Sequence, residues 1–190
     1  MPALAHSDVA IAIRILIALV FLSAATAKMR NWPIFRGVVA NYRLLPQALV
    51  GPVTYVLPPA EAAIGAMLPT GLFAPWAEAA AAVLLGAFAV AMGINLLRGR
   101  RQIDCGCFQG ALKQPLRWTL VGRNALLALL LGAVAADAAP SGRADSWAVV
   151  NGIFAGGALF VVLQSLNALW AIIPAVRRTS RPGIQMESTS

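Results

Sequence analysis

The sequence contains few residues able to bind a metal or to form disulfide bonds, since its 190 residues include two cysteines and one histidine. Structural zinc sites use four Cys or His ligands, so a zinc site here would need ligands from another chain. Two cysteines are also too few for the disulfide framework of a small secreted domain. We therefore predict neither a metal site nor a disulfide scaffold.

Charged residues are also scarce: 12% of the residues are charged and 59% are hydrophobic. This composition lies outside the usual range of soluble globular proteins and predicts an integral membrane protein embedded in the lipid bilayer. The formal net charge of +8 would indicate nucleic-acid binding only if the basic residues formed a patch on a soluble surface. They lie instead between apolar runs, as in inner-membrane proteins, so we predict no nucleic-acid partner.

Five apolar runs are long enough to cross the hydrocarbon layer of a bilayer, which is about 30 Å thick, at 1.5 Å per helical residue. We predict an all-α membrane protein: a bundle of about five transmembrane helices with a short interfacial helix after the first. The interfacial helix is expected within residues 28–49, where apolar residues recur near helical spacing. The predicted spans are residues 8–27, 50–72, 75–97, 118–139 and 147–173.

These spans predict one integral-membrane domain, residues 1–175, followed by a cytoplasmic tail, residues 176–190, which we expect to be disordered. A cleaved signal peptide is the alternative interpretation of the first run, because Ala25-Thr26-Ala27 loosely resembles a cleavage site. The run is too long for a signal-peptide core, however, and no Lys or Arg precedes it.

Prolines and glycines predict how two of the spans pack. The second span contains three prolines, which membrane helices tolerate where neighbours satisfy the freed carbonyl groups, so we expect a kinked helix inside the bundle. The fifth span carries Gly152, Gly156 and Gly157 on a face of small residues. Such faces let two helices approach closely, and we predict a packing role for this one.

Two charged residues, Arg14 and Glu61, fall deep inside the first two predicted spans. An arginine at the centre of a membrane helix costs about 2.5 to 3.5 kcal/mol on insertion scales, so each charge should face the interior and have a partner. Counting residues from the ends of two antiparallel helices places both at similar depth. We therefore predict an ion pair, which would either fix helix register or serve as a proton or ligand site. Arg123 and Asn124 lie inside the fourth span as supporting polar residues.

The two cysteines, Cys105 and Cys107, lie one residue apart in the polar connection between the third and fourth spans. Their α-carbons are near the separation that a disulfide needs, and Gly106 has no side chain to resist the closing of so small a ring. Basic residues upstream, including Arg101, would favour the thiolate, and Asp104 adjoins the pair. We predict a pair that alternates between dithiol and disulfide; two unreactive buried cysteines are the alternative.

The basic residues are distributed unequally between the two sides of a five-span bundle. Of the 15 Lys and Arg residues, two lie inside spans, Arg143 alone lies on one side, and the remaining twelve lie on the other. The positive-inside rule then places the N-terminus in the periplasm and the C-terminus and the thiol pair in the cytoplasm. In that reducing compartment a disulfide would be transient.

The order of these residues resembles the methylamine-utilisation MauE family, within the wider group of DoxX-like membrane proteins. The resemblance covers about residues 10–135. Family members usually read CGCFG, whereas Gln109 here separates the phenylalanine from Gly110. The most specific part is the succession of Arg98-Gly99-Arg100, Asp104-Cys105-Gly106-Cys107-Phe108 and Arg123-Asn124.

The resemblance implies a polytopic inner-membrane protein required for maturation of methylamine dehydrogenase, whose periplasmic small subunit carries a tryptophan-derived quinone and many disulfides. It implies the thioredoxin-like protein MauD as a partner. Cys105 and Cys107 would be the redox pair, and Glu61, Arg14 and Arg123 the buried polar framework.

Two alternatives stay open beside this function. One is a non-catalytic scaffold or transport component; the other, from the wider DoxX-like group, is a redox protein with a quinone or lipid bound near Glu61 and Arg123. The periplasmic substrate and the predicted cytoplasmic thiols also lie on opposite sides of the membrane. Either reducing equivalents cross the bundle, or the thiol loop enters the membrane, or the thiols are structural.

Overall fold

The computed structural model describes residues 8–71, 73–100, 116–136 and 146–179. All regular structure in these ranges is helical, which confirms the predicted all-α class. The predicted site residues Arg101, Asp104, Cys105 and Cys107 lie outside the described residues. The helices are α1 (Asp8–Arg30), α2 (Trp32–Tyr42), α3 (Gln47–Met67), followed by a 3₁₀ turn (Leu68–Thr70), α4 (Trp76–Leu97), α5 (Trp118–Ala136) and α6 (Ser146–Thr179).

Among the described residues, four helices are long and apolar enough to cross a membrane: α1, α4, α5 and α6. The predicted second span, α3, is long enough at 21 residues, but its three prolines and Glu61 make it less apolar than the others. It continues through its prolines as one α-helix, and Pro58, Glu61 and Gly65 are buried. The predicted position of this helix inside the bundle is therefore correct, although its composition alone does not qualify it as a span.

Contacts between α1 and α3 show that these two helices are antiparallel. A Cβ added at Gly65 would lie 3.1 Å from Cβ of Phe21, and one added at Gly71, just after α3, would lie 3.8 Å from Nη1 of Arg14. Residue numbers therefore rise along α3 as they fall along α1.

The fourth helix, α4, runs parallel to α1. Arg14 contacts Glu78 near the start of α4. Lys28, further along α1, contacts the ring of Phe88, which lies further along α4. Two helices joined through α2 and α3 can point the same way only if α3 returns the chain from one face of the bundle to the other. The directions of the helices therefore support a chain that crosses the bundle five times, with α3 as the second crossing.

Close packing between α1 and α6 depends on two glycines. A Cβ added at Gly152 would lie 2.5 Å from Cγ2 of Ile11, and one at Gly156 would lie 2.7 Å from the carbonyl oxygen of Ala12. No side chain could occupy either position without moving α1. Gly157, by contrast, has nothing within 4 Å. The predicted packing face is confirmed for two of its three glycines, and the order of the contacts makes α6 parallel to α1.

The short helix α2 is the interfacial helix predicted from the sequence, with Pro33 in its first turn. Only Phe35 of its 11 residues is buried. The helix ends at Tyr42, and the next residue, Arg43, adopts a left-handed conformation with φ of 48°. It occupies less of residues 28–49 than expected, because α1 continues through Lys28 to Arg30 before the chain turns.

The main apolar core lies between α1, α4 and α5, where Phe21, Leu85 and Leu131 are buried. Of the four apolar spans, α1 is the most buried and α6 the least. Outward-facing apolar residues such as Val83 and Phe154 are more than 70% exposed within the protein itself. In a bilayer these faces contact lipid.

The last helix, α6, continues through Pro174 to Thr179, whereas we predicted that the fifth span ends at residue 173. A proline interrupts the hydrogen bonds of a helix without always ending it.

Candidate functional site

Among the described residues, the most deeply buried charged pair joins Lys28 of α1 to Glu61 of α3. Nζ of Lys28 donates a hydrogen bond to Oε1 of Glu61. Lys28 is 2% exposed and Glu61 is fully buried. The ammonium also lies 5.4 Å from the ring centroid of Phe35 and 5.0 Å from that of Phe88. One carboxylate and two aromatic rings therefore replace the water that this lysine loses on burial.

A second buried ion pair joins Arg14 of α1 to Glu78 in the first turn of α4. Nε of Arg14 lies 2.9 Å from Oε1 of Glu78, whose side chain is 1% exposed. A carboxylate in the first turn of a helix is also stabilised by the positive end of the helix dipole. This pair joins the ends of α1 and α4 that lie far from Lys28.

The predicted ion pair between Arg14 and Glu61 is wrong. Arg14 lies level with Gly71, which follows Glu61 by ten residues, or about 15 Å at 1.5 Å per residue. The prediction ended the first span at Ala27 and assigned Lys28 to the membrane surface, whereas α1 continues to Arg30. Sequence reasoning thus found one member of each ion pair and missed both true partners.

Arg123 and Asn124 of α5 form a third buried polar group together with Asn167 of α6. Nη1 of Arg123 donates to Oδ1 of Asn167, and Nη2 donates to Oδ1 of Asn124, both at 3.3 Å. Among the described residues, Nε of Arg123 and Nδ2 of Asn124 have no hydrogen-bond acceptor. The group therefore has more buried donors than acceptors.

A small cavity of about 30 Å³, here named the polar cavity, lies between the Lys28–Glu61 pair and the Arg123 group. A cavity needs roughly 10–15 Å³ to hold a water molecule, which also requires two to four polar partners. The polar cavity meets both conditions. It brings three predicted site residues together, Glu61, Arg123 and Asn124, and Arg14 lies outside it. Its polar lining consists of Ser23, Lys28, Glu61, Arg123, Asn124 and Gln164.

A larger cavity of about 280 Å³, here named the apolar cavity, lies between α2, α3 and α4. Its walls include Phe35 of α2, Leu57 of α3 and Met92 of α4. Lys28 is the one charged residue among the described residues that line it. Lys28 and Phe88 also line the polar cavity, so the lysine lies between a cavity with several polar side chains and one whose lining is mostly apolar.

No metal site is visible in the part of the chain that the structure describes, where no three His, Cys, Asp or Glu side chains come together. The redox role of Cys105 and Cys107, and the supporting roles of Arg101 and Asp104, stay predictions from the sequence.

The family model described as methylamine utilisation protein MauE matches residues 6–137. The chain belongs to the MauE family. The polar residues of α1, α3, α4 and α5 described above all lie within the matched range, as does the connection that contains both cysteines.

Relatives in this family are similar over most of the chain. The chain is 43% identical over 165 residues to "Methylamine utilization protein MauE" of Paracoccus denitrificans, covering 86% of this chain and 88% of that protein. It is 45% identical over 161 residues to the protein of the same name from Paracoccus versutus, covering 83% and 85%. A MauE protein of Methylorubrum extorquens is 43% identical over 129 residues, covering 68% and 69%. No solved structure matches the chain. The resemblance to the MauE family drawn from the sequence is confirmed, and this MauE-family protein belongs to methylamine utilisation.

Proposed function

We propose that this MauE-family protein is an inner-membrane maturation factor for methylamine dehydrogenase, which supports disulfide formation in the small subunit of that enzyme. Membership of a methylamine-utilisation family is the observation that carries this proposal. The small subunit as substrate and the thioredoxin-like MauD as partner follow from the family resemblance. The Cys105/Cys107 pair supplies the chemistry, because these are the only cysteines in the chain.

The proposed reaction is an exchange of disulfides. A thiolate of the substrate attacks one sulfur of the Cys105–Cys107 disulfide, which forms a mixed disulfide and releases the other cysteine as a thiolate. A second substrate thiolate then displaces the first cysteine, so the substrate gains a disulfide and the pair accepts two electrons. The reduced pair attacks a disulfide of the thioredoxin-like partner as a thiolate and becomes oxidised again.

The described residues on either side of the thiol connection pack together. Leu96, near the end of α4, and Leu116, just before α5, are buried in one apolar cluster with Met92 and Leu120. The two ends of the segment that contains the thiols are therefore held together. Of the two buried ion pairs, Lys28–Glu61 joins α1 to α3, and Arg14–Glu78 joins α1 to the opposite end of α4.

Cysteine-to-serine variants test this function directly. Cys105→Ser, Cys107→Ser and the double variant should each reach the membrane in normal amounts and fail to support maturation of methylamine dehydrogenase. Gln109→Ser is the matched control, since it changes the same connection and keeps both thiols. Full maturation in the double variant would refute the thiol mechanism.

A thiol-trapping gel shift separates this mechanism from a non-catalytic scaffold. Under the proposal, the fraction of Cys105 and Cys107 that reacts with an alkylating reagent should fall when oxidant or the oxidised partner is added. A fraction that never changes would favour a scaffold that only holds the subunit at the membrane.

A further inference from the structure

The buried ammonium of Lys28 has hydrogen-bond donors that its described neighbours do not use. An ammonium has three N–H donors, and the acceptor recorded for this one is Oε1 of Glu61. Phe35 and Phe88 approach it with ring faces rather than with acceptor atoms. Because Lys28 also lines the apolar cavity, an acceptor that enters this cavity would meet an available donor.

The remaining lining of the apolar cavity selects a ligand with an apolar body. Apart from Lys28 and Tyr42, its lining residues are aliphatic, phenylalanine or methionine. Cavities with such walls do not hold water stably. A volume of about 280 Å³ lies near the lower limit of small-molecule sites, roughly 300 Å³. The cavity is therefore suited to a hydrocarbon chain or ring.

The charge of the lining favours an uncharged head group. Lys28 carries the one charge of the described lining, and Glu61 already balances it. A carboxylate head would place a second anion against the same ammonium, and it would lose its hydration without a counter-charge of its own. A carbonyl oxygen accepts a hydrogen bond without adding charge.

We propose that the apolar cavity binds a lipid-soluble carbonyl compound of the alkyl-quinone type, whose carbonyl oxygen accepts a hydrogen bond from Nζ of Lys28. The body of the ligand would lie among Phe35, Leu57 and Met92. Arg123 is not among the described residues that line this cavity; it lines the polar cavity, whose volume of about 30 Å³ suits a water molecule. The proposal concerns binding and does not rest on the thiol chemistry.

Three probes with alkyl chains of nine or ten carbons test the chemistry of this site. A decyl-substituted benzoquinone, decanoate and decane would be titrated into the delipidated protein in nanodiscs, with binding measured by calorimetry. The quinone should bind saturably at one molecule per chain, and the other two should bind at least about tenfold more weakly. Equal binding of decane would indicate an adventitious apolar additive only, and tighter binding of decanoate would show an anion site; either result overturns the proposal.

Two variants test the position of the site by different means. Lys28→Met combined with Glu61→Gln removes the ammonium and keeps the interior uncharged, whereas Ala91→Phe fills the cavity from α4. Both should weaken quinone binding at least about tenfold. Val90→Phe is the matched control, because Val90 is 61% exposed on the same helix, and it should bind as the wild type does.

Thermal unfolding without ligand shows whether each variant is folded. If the double variant does not fold, Ala91→Phe decides alone. Unchanged quinone binding in a folded Ala91→Phe protein would place the ligand elsewhere and overturn the proposal.

Discussion

Lys28 of α1 and Glu61 of α3 form an ion pair that is almost completely removed from solvent. A lysine near the end of a membrane helix commonly extends its side chain to the surface, but here α2 folds back and places Phe35 over the ammonium. Burial costs several kcal/mol per ion, and the pairing offsets this cost only while both ions are present. Each residue therefore depends on the other for its place in the bundle.

Replacing Glu61 by Gln should destabilise the protein by about 3 to 5 kcal/mol, because it leaves the ammonium of Lys28 buried without a counter-charge. Membrane abundance and thermal unfolding in detergent measure this loss. Adding Lys28→Met to Glu61→Gln should restore most of the stability, since no charge is then buried. A single Glu61→Gln variant as stable as the wild type would show that the carboxylate is not needed to hold Lys28.

A double-mutant cycle tests which acid pairs with Arg14. Arg14→Met and Glu78→Gln should have strongly non-additive effects on the free energy of unfolding, because each removes the partner of the other. Arg14→Met and Glu61→Gln should be additive within about 0.5 kcal/mol, since these residues lie at different depths. The opposite result, with Arg14 coupled to Glu61 and additive with Glu78, would support the Arg14–Glu61 pair predicted from the sequence.

The glycine contacts between α1 and α6 predict opposite effects at neighbouring positions. Gly156→Ala should destabilise the bundle by about 1 to 3 kcal/mol, because its Cβ would lie 2.7 Å from a backbone oxygen of α1. Gly157→Ala is the matched control and should leave the unfolding temperature unchanged or slightly higher, since it meets nothing within 4 Å. Equal gain in both variants would mean that helix propensity, and not packing against α1, governs this helix.

Reporter fusions test the arrangement of the chain across the membrane. Because α1, α4 and α6 are parallel, fusions after Gly71 and Gly142 should lie on one side and a fusion after Gln114 on the other. The excess of basic residues predicts periplasm for the first two and cytoplasm for the third and for the tail.

Two results would contradict different parts of this topology. The reverse pattern would overturn the orientation and would place the thiols on the same side as the periplasmic substrate. A shared location for the fusions after Gly71 and Gln114 would contradict the helix directions themselves.

The sequence predicted the helices well because apolar run length sets where a membrane helix starts and stops: the predicted third span, 75–97, and α4 differ by one residue. The sequence did not predict the partners of the buried charges. Hydropathy indicates how deep a residue lies in the membrane, but it says little about how a helix is rotated about its axis or how far it is shifted along its neighbour. A signal for Lys28 was nevertheless present. Phe21, Ala24, Ala25 and Lys28 recur at the spacing of one helix face, and all four are buried.

The rest of the site was beyond sequence reasoning for the same reason. Glu78 lies near the start of its span, where a carboxylate in water would be equally reasonable. The two cavities are gaps between helices, and their volumes depend on how three or more helices meet. Family-specific spacing did identify Arg123 and Asn124, which line the polar cavity.

The contact between α1 and α6 also determines when the bundle can be completed. The first and last helices meet across 143 residues of sequence, where Asn151 donates a hydrogen bond to Asp8. During synthesis α1 enters the membrane with its glycine-contacting face uncovered, and that face stays open until α6 leaves the ribosome. A nascent chain halted before residue 146 would therefore leave Ile11 and Ala12 of α1 without the glycines that cover them, so this face of α1 is completed only after the rest of the bundle has been made.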